Sequence, residues 1–101
     1  MVEDAPDPTT SPALLPGPLS DEAAKSFSEE AKRIAANWGL TQKQQEVLKP
    51  LVLGHSNKEI ARFVGCSEVT VEYHLTQILA RAGLSSRNRL VAAFWLRVLK
   101  W

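Results

Sequence analysis

Apolar residues in the second half of the chain recur at intervals of three and four positions, which is the spacing of one face of an α-helix. One such segment follows Ser67, and its apolar residues fall on one arc that we expect to be buried: Val71, Leu75, Ile78, Leu79 and Ala82. Another follows Thr41 and aligns Val47, Leu48, Leu51 and Val52. These segments predict an all-α fold in which short amphipathic helices share one core.

The helix after Thr41 has a clear start and an ambiguous end. Thr41 and Gln44 have the spacing of a capping box, in which each side chain accepts a hydrogen bond from the other's backbone amide. Pro50 lies inside the same apolar stripe, where it removes one backbone hydrogen bond at a cost of about 3 kcal/mol. We therefore predict a kink or an early helix end near Lys49.

Two further helices are separated by a glycine. Ser56 and Glu59 have capping-box spacing, and Ser67 with a threonine three residues later supplies a hydroxyl N-cap. Gly65 lies between these starts and can adopt the left-handed conformation that ends one helix and lets the next leave at a steep angle. Gly83 ends the second helix in the same way. A short helix, a turn and a longer helix form the layout of a helix-turn-helix.

The outward face of the longer helix is unusual for a solvent face. It combines small, hydroxyl, amide and aromatic side chains in place of charged ones: Val69, Tyr73, Thr76, Gln77 and Ala80. Thr and Gln can hydrogen-bond base edges, and Val and Ala can contact a thymine methyl group. A partly apolar helix of this kind can also contact another protein, so the surrounding pattern has to decide between the two.

The last helix is predicted to start near Ser86 and to run to the C-terminus. One arc suits the core of the domain and contains Leu90, Phe94, Val98 and Trp101. A different arc points elsewhere and contains Ala92, Trp95, Leu96 and Leu99. An exposed Trp and two Leu on a small domain are typical of an interface, so we expect these four residues to form a twofold-symmetric homodimer contact.

The first 40 residues differ in character from the rest. Residues 1–19 contain five of the six prolines and no apolar periodicity, so we expect a disordered, Pro-rich arm. Residues 20–38 predict a linker-like helix, capped by Ser20 or Asp21, with a narrow apolar seam: Ala24, Phe27, Ala31, Ile34 and Trp38. The seam either packs on the domain or pairs across a dimer. About 40 residues are too few for a receiver or ligand-binding domain, so none is expected before the motif.

The charge is divided along the chain. The whole chain has a net charge of +1, which by itself implies no nucleic-acid partner. Residues 41–101 hold nine Lys and Arg against four Asp and Glu, a balance of +5, whereas residues 1–40 hold three against seven, a balance of −4. The second half is therefore the candidate for phosphate binding, and its modest charge favours two copies acting together.

Several other classes of function are not expected. His55 and His74 have no partners at metal-ligand spacing, the serines have no paired base, and the glycines do not form a phosphate cradle, so we expect no enzyme, metal, cofactor or small-molecule ligand. The single cysteine, Cys66, cannot form an intrachain disulfide and is interpreted as a packing residue. Neither a secretory signal nor a membrane-spanning run is recognisable, so a cytoplasmic protein is expected.

The combined pattern resembles the LuxR/GerE-type DNA-binding domain of bacterial transcription regulators. The resemblance runs from about Leu40 to Leu96 and rests on these residues: Leu40-Thr41, Glu46-Val47-Leu48, Gly54, Ser56-Asn57-Lys58-Glu59-Ile60-Ala61, Ser67, Thr70-Val71, His74-Leu75, Ile78, Gly83 and Ser86-Arg87. It implies that residues 40–101 form a four-helix domain whose third helix enters the major groove and whose fourth often mediates dimerisation.

The resemblance also implies positions for the DNA contacts. The base-facing sites of the family correspond to Glu72, Tyr73 and Thr76, and two of these coincide with the outward face predicted above. Many relatives have Lys where this chain has Glu72, and a carboxylate there can accept a hydrogen bond from a cytosine amino group. Phosphate contacts correspond to Asn57, Lys58, Ser67, Val69 and Thr70, with Arg62, Arg81 and Arg87 as additional cationic candidates.

We therefore expect a sequence-specific regulator that binds double-stranded DNA as a dimer on an inverted repeat. RNA polymerase or a full-length regulator is a further candidate partner. One alternative is a protein-interaction module that forms inactive heterodimers with a full-length regulator through Trp95 and Leu99. A second is a domain similar to region four of sigma factors, which shares the motif, although the residues from Ser56 to Glu59 and from Gly83 to Arg87 fit the regulator family better.

Overall fold

A computed structural model describes residues 21–99, which fold into five helices without a strand among them. The helices are α1 (Asp21–Asn37), α2 (Gln42–Val52), α3 (Asn57–Val64), α4 (Glu68–Ala82) and α5 (Arg87–Val98). The predicted all-α fold, with an extra helix before a four-helix domain, is confirmed. The predicted arm over residues 1–19, the candidate cap Ser20 and the core candidate Trp101 lie outside the described residues.

The core forms around α2, which packs against each of the other four helices. Its capping box is present as predicted: the Thr41 amide donates to Gln44 Oε1 at 3.0 Å, and the Gln44 amide donates to Thr41 Oγ1 at 3.2 Å. The largest fully buried side chains come from α1, α2, α3, α4 and α5 together: Ile34, Val47, Leu48, Leu51, Ile60, Val71, Ile78, Leu90 and Phe94. One continuous core therefore fixes all five helices.

The α1 seam packs on the domain itself. Ala31 and Ile34 are fully buried, and Trp38 is nearly so, with the Arg97 guanidinium 5.4 Å from the centre of its ring. Ala24 was included in the predicted seam but is exposed, because the buried part of α1 begins only at the half-buried Phe27. Of the two predicted arrangements, the described residues therefore show packing within one chain.

The prediction of an early end to α2 near Lys49 is wrong. The helix continues through Pro50 to Val52, so the missing backbone hydrogen bond affects only its last turn. That turn is held by tertiary packing, since Leu51 is almost fully buried. The Pro50 carbonyl is also satisfied, because it accepts the His55 amide at 3.1 Å. Burial of the last turn thus offsets the cost of the proline.

The prediction for α5 needs two corrections. Leu90 and Phe94 are fully buried as predicted, but the helix ends at Val98 with Leu99 as its C-cap, before the C-terminus is reached. Trp95, predicted to point outward with Leu96, is half-buried inside its own chain. A side chain as large as an indole spans the gap to α1 and α2, which a helical-wheel argument cannot show.

Within residues 21–99, none of the helices has both the length and the apolarity that a membrane crossing requires.

Candidate nucleic-acid interface

The turn between α3 and α4 sets the angle of the candidate recognition helix. α3 ends at Gly65, which has φ 80° and ψ 42°, the left-handed conformation predicted for it. Its amide and that of Cys66 both donate to the Ala61 carbonyl, at 2.8 and 3.0 Å, which satisfies the end of the helix. α4 then starts from the N-cap Ser67 and packs against α3. These three consecutive residues form the turn of the helix-turn-helix.

The inner face of α4 is fixed in the core. Val71 and Ile78 have no solvent exposure, and Leu75, Leu79 and Ala82 are partly buried against the same cluster. All five residues of the predicted arc therefore face the interior. Because two turns of the helix are anchored in this way, its opposite face has a defined orientation.

The outward face of α4 is open to solvent over two turns. Val69 is 75% exposed and Tyr73 is 61% exposed, with Glu72 and Thr76 also exposed beside them. Gln77 lies at the edge of this face and is half-buried. We call these five residues the α4 outer face. Because four of these five side chains are exposed, their polar and apolar groups are available to a partner.

Thr76 presents hydrogen-bond acceptors in the free protein. Its hydroxyl donates to the carbonyl of Glu72 one turn earlier, at 3.0 Å, which leaves the oxygen lone pairs free to accept a hydrogen bond. The Glu72 carboxylate is likewise an acceptor, since an ionised carboxylate has no proton to donate. Together they would match base donors such as the amino groups of cytosine and adenine in the major groove.

The N-terminus of α4 adds amide donors next to this face. Ser67 Oγ accepts the Thr70 amide at 3.1 Å and lies 2.9 Å from the Thr70 hydroxyl, so the predicted N-cap is confirmed. The amides of the two residues before Thr70 belong to the first turn and have no acceptor within the helix. Such amides, with the positive end of the helix dipole, suit an anionic oxygen.

The N-terminus of α3 has the predicted capping box. The Ser56 amide donates to Glu59 Oε1 at 2.9 Å, and the Glu59 amide donates to Ser56 Oγ at 3.2 Å. The hydrogen bond from the Ser56 backbone holds the pKa of the Glu59 carboxyl below its ordinary value, and a 3.2 Å contact with His55 Nδ1 lowers that pKa further. Lys58 is exposed beside this box and makes no ion pair with another described residue. Its ammonium group is therefore available to a phosphate.

The three predicted arginines differ in their surroundings. Arg62 is exposed and has no hydrogen-bond partner among the described residues. Arg81 is exposed but donates to the Gly39 carbonyl at 2.9 Å, which ties the end of α4 to the turn after α1. Arg87 is half-buried and donates to Asn57 Oδ1 at 2.6 Å and to the His55 carbonyl at 2.8 Å. The sequence did not indicate these long-range bonds, because the partners of Arg81 and Arg87 lie 42 and at least 30 positions away.

No metal-binding group forms among the described polar residues near α4. Residues 21–99 contain no group of three or more His, Cys, Asp or Glu that could hold a metal ion. His74 lies on the flank of α4, where its Nδ1 is buried without a hydrogen-bond partner and its ring meets that of Tyr73 edge-on, with centroids 5.8 Å apart. Cys66 is half-buried and packs against the core, consistent with a packing role.

α5 and its C-cap also expose apolar side chains. Leu96 is 71% exposed and Leu99 is 53% exposed, with Ala92 also exposed. Trp95, by contrast, is engaged within the chain: its ring stacks on Phe27 with centroids 6.0 Å apart, and its Nε1 donates to a backbone carbonyl of α2 at 2.8 Å. The exposed part of the predicted interface therefore consists of Ala92, Leu96 and Leu99.

The chain is similar in sequence to known bacterial regulatory proteins. Residues 39–94 match the model of the family described as bacterial regulatory proteins, luxR family. The chain is 40% identical over 78 residues to a protein named as an HTH-type transcriptional regulator in Mycobacterium bovis, covering 72% of this chain and 9% of that protein. It is 37% identical over 73 residues to the transcriptional regulatory protein TdiR of Thauera aromatica, covering 72% of this chain and 32% of TdiR.

A third relative is the oxygen regulatory protein NreC of Staphylococcus aureus, which is 40% identical over 52 residues, covering 52% of this chain and 24% of NreC. The chain thus spans between about a tenth and a third of the length of these three relatives. No solved structure matched it significantly. Since the family model covers more than half of the chain and the helix-turn-helix lies inside it, the chain belongs to the luxR family of bacterial regulatory proteins.

Proposed function

We propose that the chain binds double-stranded DNA in a sequence-specific manner, with α4 in the major groove and its outer face against the base edges. The observation that supports this most is the contrast between the two faces of α4. Val71 and Ile78 are fully buried, whereas Val69 and Tyr73 on the opposite side are largely exposed. A helix that is anchored in the core on one side and bears hydrogen-bonding and apolar groups on the other meets the requirement for direct readout of base edges.

We assign base contacts to the α4 outer face: Val69, Glu72, Tyr73, Thr76 and Gln77. The acceptors on Glu72 and Thr76 would select base pairs that present an amino group, and Val69 would contact a thymine methyl group. The acidic side chain also repels phosphates, so it favours sequences in which its hydrogen bond to a base compensates for that repulsion.

We assign phosphate contacts to the helix starts that flank this face. Ser67 and Thr70 lie at the start of α4, and Lys58 lies at the start of α3 with its ammonium group unpaired among the described residues. Arg62 and Arg81 add exposed positive charge. These contacts would fix the register of α4 in the groove without distinguishing sequences.

We further propose that two copies bind together on an inverted repeat. Leu96 and Leu99 on α5 expose apolar surface that a second copy would cover, with Ala92 beside them. Trp95 supports this surface from within its own chain. Paired recognition helices related by a twofold axis would read half-sites about 10 base pairs apart, or closer in a compact dimer.

Selection from a pool of random duplexes tests the proposal. Repeated capture by the wild-type protein is expected to enrich an inverted repeat. Enrichment of a single half-site would contradict the dimer and leave the DNA-binding assignment standing.

No enrichment at all would favour the alternative, in which the exposed α5 surface forms heterodimers with a full-length regulator. Sedimentation of Leu96→Asp, with Arg89→Asp on the same helix as the control, tests the dimer separately. Only the former should shift the protein toward monomer, because Arg89 is exposed but is not part of the apolar surface.

A further inference from the structure

Arg87 is half-buried and packs against the start of α3. It is the first residue of α5, where a positive charge is unfavourable to the helix dipole. Its guanidinium donates through Nη1 to Asn57 Oδ1 at 2.6 Å and through Nη2 to the His55 carbonyl at 2.8 Å. These two partners lie on either side of Ser56, the N-cap of α3. The guanidinium therefore clamps the start of α3 from both sides of its cap.

The clamp fixes which atoms of the Asn57 amide face outward. A guanidinium has only donors, so the Asn57 side chain must turn its oxygen toward Arg87 and its NH2 group away. Nδ2 has no hydrogen-bond partner among residues 21–99 and is not among their buried atoms that lack one, so it reaches solvent. A charge-assisted bond of this length also polarises the amide and strengthens its NH2 group as a donor.

Asn57 is the first residue of α3, next to Lys58, at the helix start where the proposed function places a phosphate. We propose that Arg87 is a positioning residue for that phosphate contact: it holds the Asn57 amide so that Nδ2 donates to the DNA backbone, and it does not contact the phosphate itself. This inference rests on the proposed function. It assigns the half-buried arginine a role different from that of the exposed Arg62 and Lys58.

Binding to a mixed-sequence duplex, measured over a range of salt concentrations, tests the assignment. Asn57→Ala should weaken binding about tenfold, the effect of one hydrogen bond to an anionic oxygen. Arg87→Lys should weaken it by a similar factor, because lysine retains the charge but has no planar fork to hold both partners. The double variant should bind the duplex no more weakly than the single variant that has the lower affinity.

A direct phosphate contact by Arg87 predicts a different pattern. Arg87→Lys would then retain most of the affinity, and Arg87→Ala would lower the salt slope by about 0.9. Under our assignment, Arg87→Ala changes that slope no more than the control Arg89→Ala, which removes an exposed charge from the same turn of α5.

A role in folding alone is also distinguishable. In that case the loss of DNA affinity caused by Arg87→Lys would persist in the Asn57→Ala background. The affinity losses of the two single variants would then multiply in the double variant. Multiplied losses, or full affinity of Arg87→Lys, would overturn the inference while leaving the proposed function intact. If the wild-type protein and Arg89→Ala bound no duplex at all, the proposed function would fail and the inference with it.

Discussion

The indole Nε1 of Trp95 donates a hydrogen bond to the carbonyl of Val52, 43 residues earlier, at 2.8 Å. Val52 is the last residue of α2, so this bond connects the end of α2 to the middle of α5. The same ring stacks on Phe27 of α1 and meets Phe94 edge-on, with centroids 6.0 and 5.2 Å away. Trp95 therefore joins three helices, and its contribution is to stability within the chain.

Replacing Trp95 with phenylalanine should lower the free energy of unfolding by about 1–3 kcal/mol. Phenylalanine retains an aromatic ring but leaves the Val52 carbonyl without its donor. Chemical denaturation measures the change, and Arg89→Ala, at an exposed position of the same helix outside the proposed dimer contact, is the control, with an expected change within about 0.5 kcal/mol. Equal losses in the two variants would show that the Trp95 hydrogen bond contributes nothing.

Gly65→Ala should destabilise the protein by about 1–2 kcal/mol, although there is room for the added methyl group. Nothing lies within 4 Å of a Cβ at this position, so the cost comes only from the positive φ of 80°. Gly65→Asn should cost less, because asparagine tolerates the left-handed conformation better than alanine does. Thermal unfolding of the two variants checks this order, and the reverse order would contradict it.

The capping box of α3 should weaken in acid. Since the folded protein lowers the pKa of Glu59 below its ordinary value of 4.5, the carboxylate contributes stability above that value. The contribution is lost as the pH falls through the lowered pKa, when the protonated carboxyl binds the Ser56 amide less strongly.

Amide exchange at Ser56, followed from neutral to acid pH, reports the loss of this hydrogen bond. In Glu59→Gln the side-chain oxygen still accepts the Ser56 amide but does not titrate, so exchange there should lack the corresponding acid transition. An identical transition in both proteins would assign it to another group.

The structural features that the sequence predicts correctly depend mostly on residues close together in the chain. The two capping boxes and the left-handed Gly65 depend on residues a few positions apart, so their spacing was enough to predict them. The anchored and open faces of α4 followed from helical periodicity. The contacts of Trp95 and Arg87 could not be predicted from the sequence, because each residue joins helices that are far apart in the chain. The early helix end predicted from Pro50 is wrong for the same reason, since tertiary burial holds the turn that follows this residue.

Substitutions on α4 and α3 should differ in their effect on sequence preference. Thr76→Ala and Glu72→Lys are expected to change the preferred base at one position of each half-site, by about 1–3 kcal/mol, because they alter acceptors facing the base edges. Lys58→Ala should weaken binding to all sequences alike and lower the salt slope by about 0.9, because it removes a phosphate contact. Measurement across a panel of randomised sites separates the two classes, and uniform effects of all three variants would contradict these roles.

The DNA-binding proposal requires that the α4 outer face meets base edges in the major groove. Intermolecular nuclear Overhauser effects, measured on the protein bound to its selected duplex, test it most directly. We expect contacts from the side chains of Val69, Tyr73 and Thr76 to major-groove protons, including thymine methyl groups. Contacts to DNA that come only from α5, or only to minor-groove protons, would contradict it.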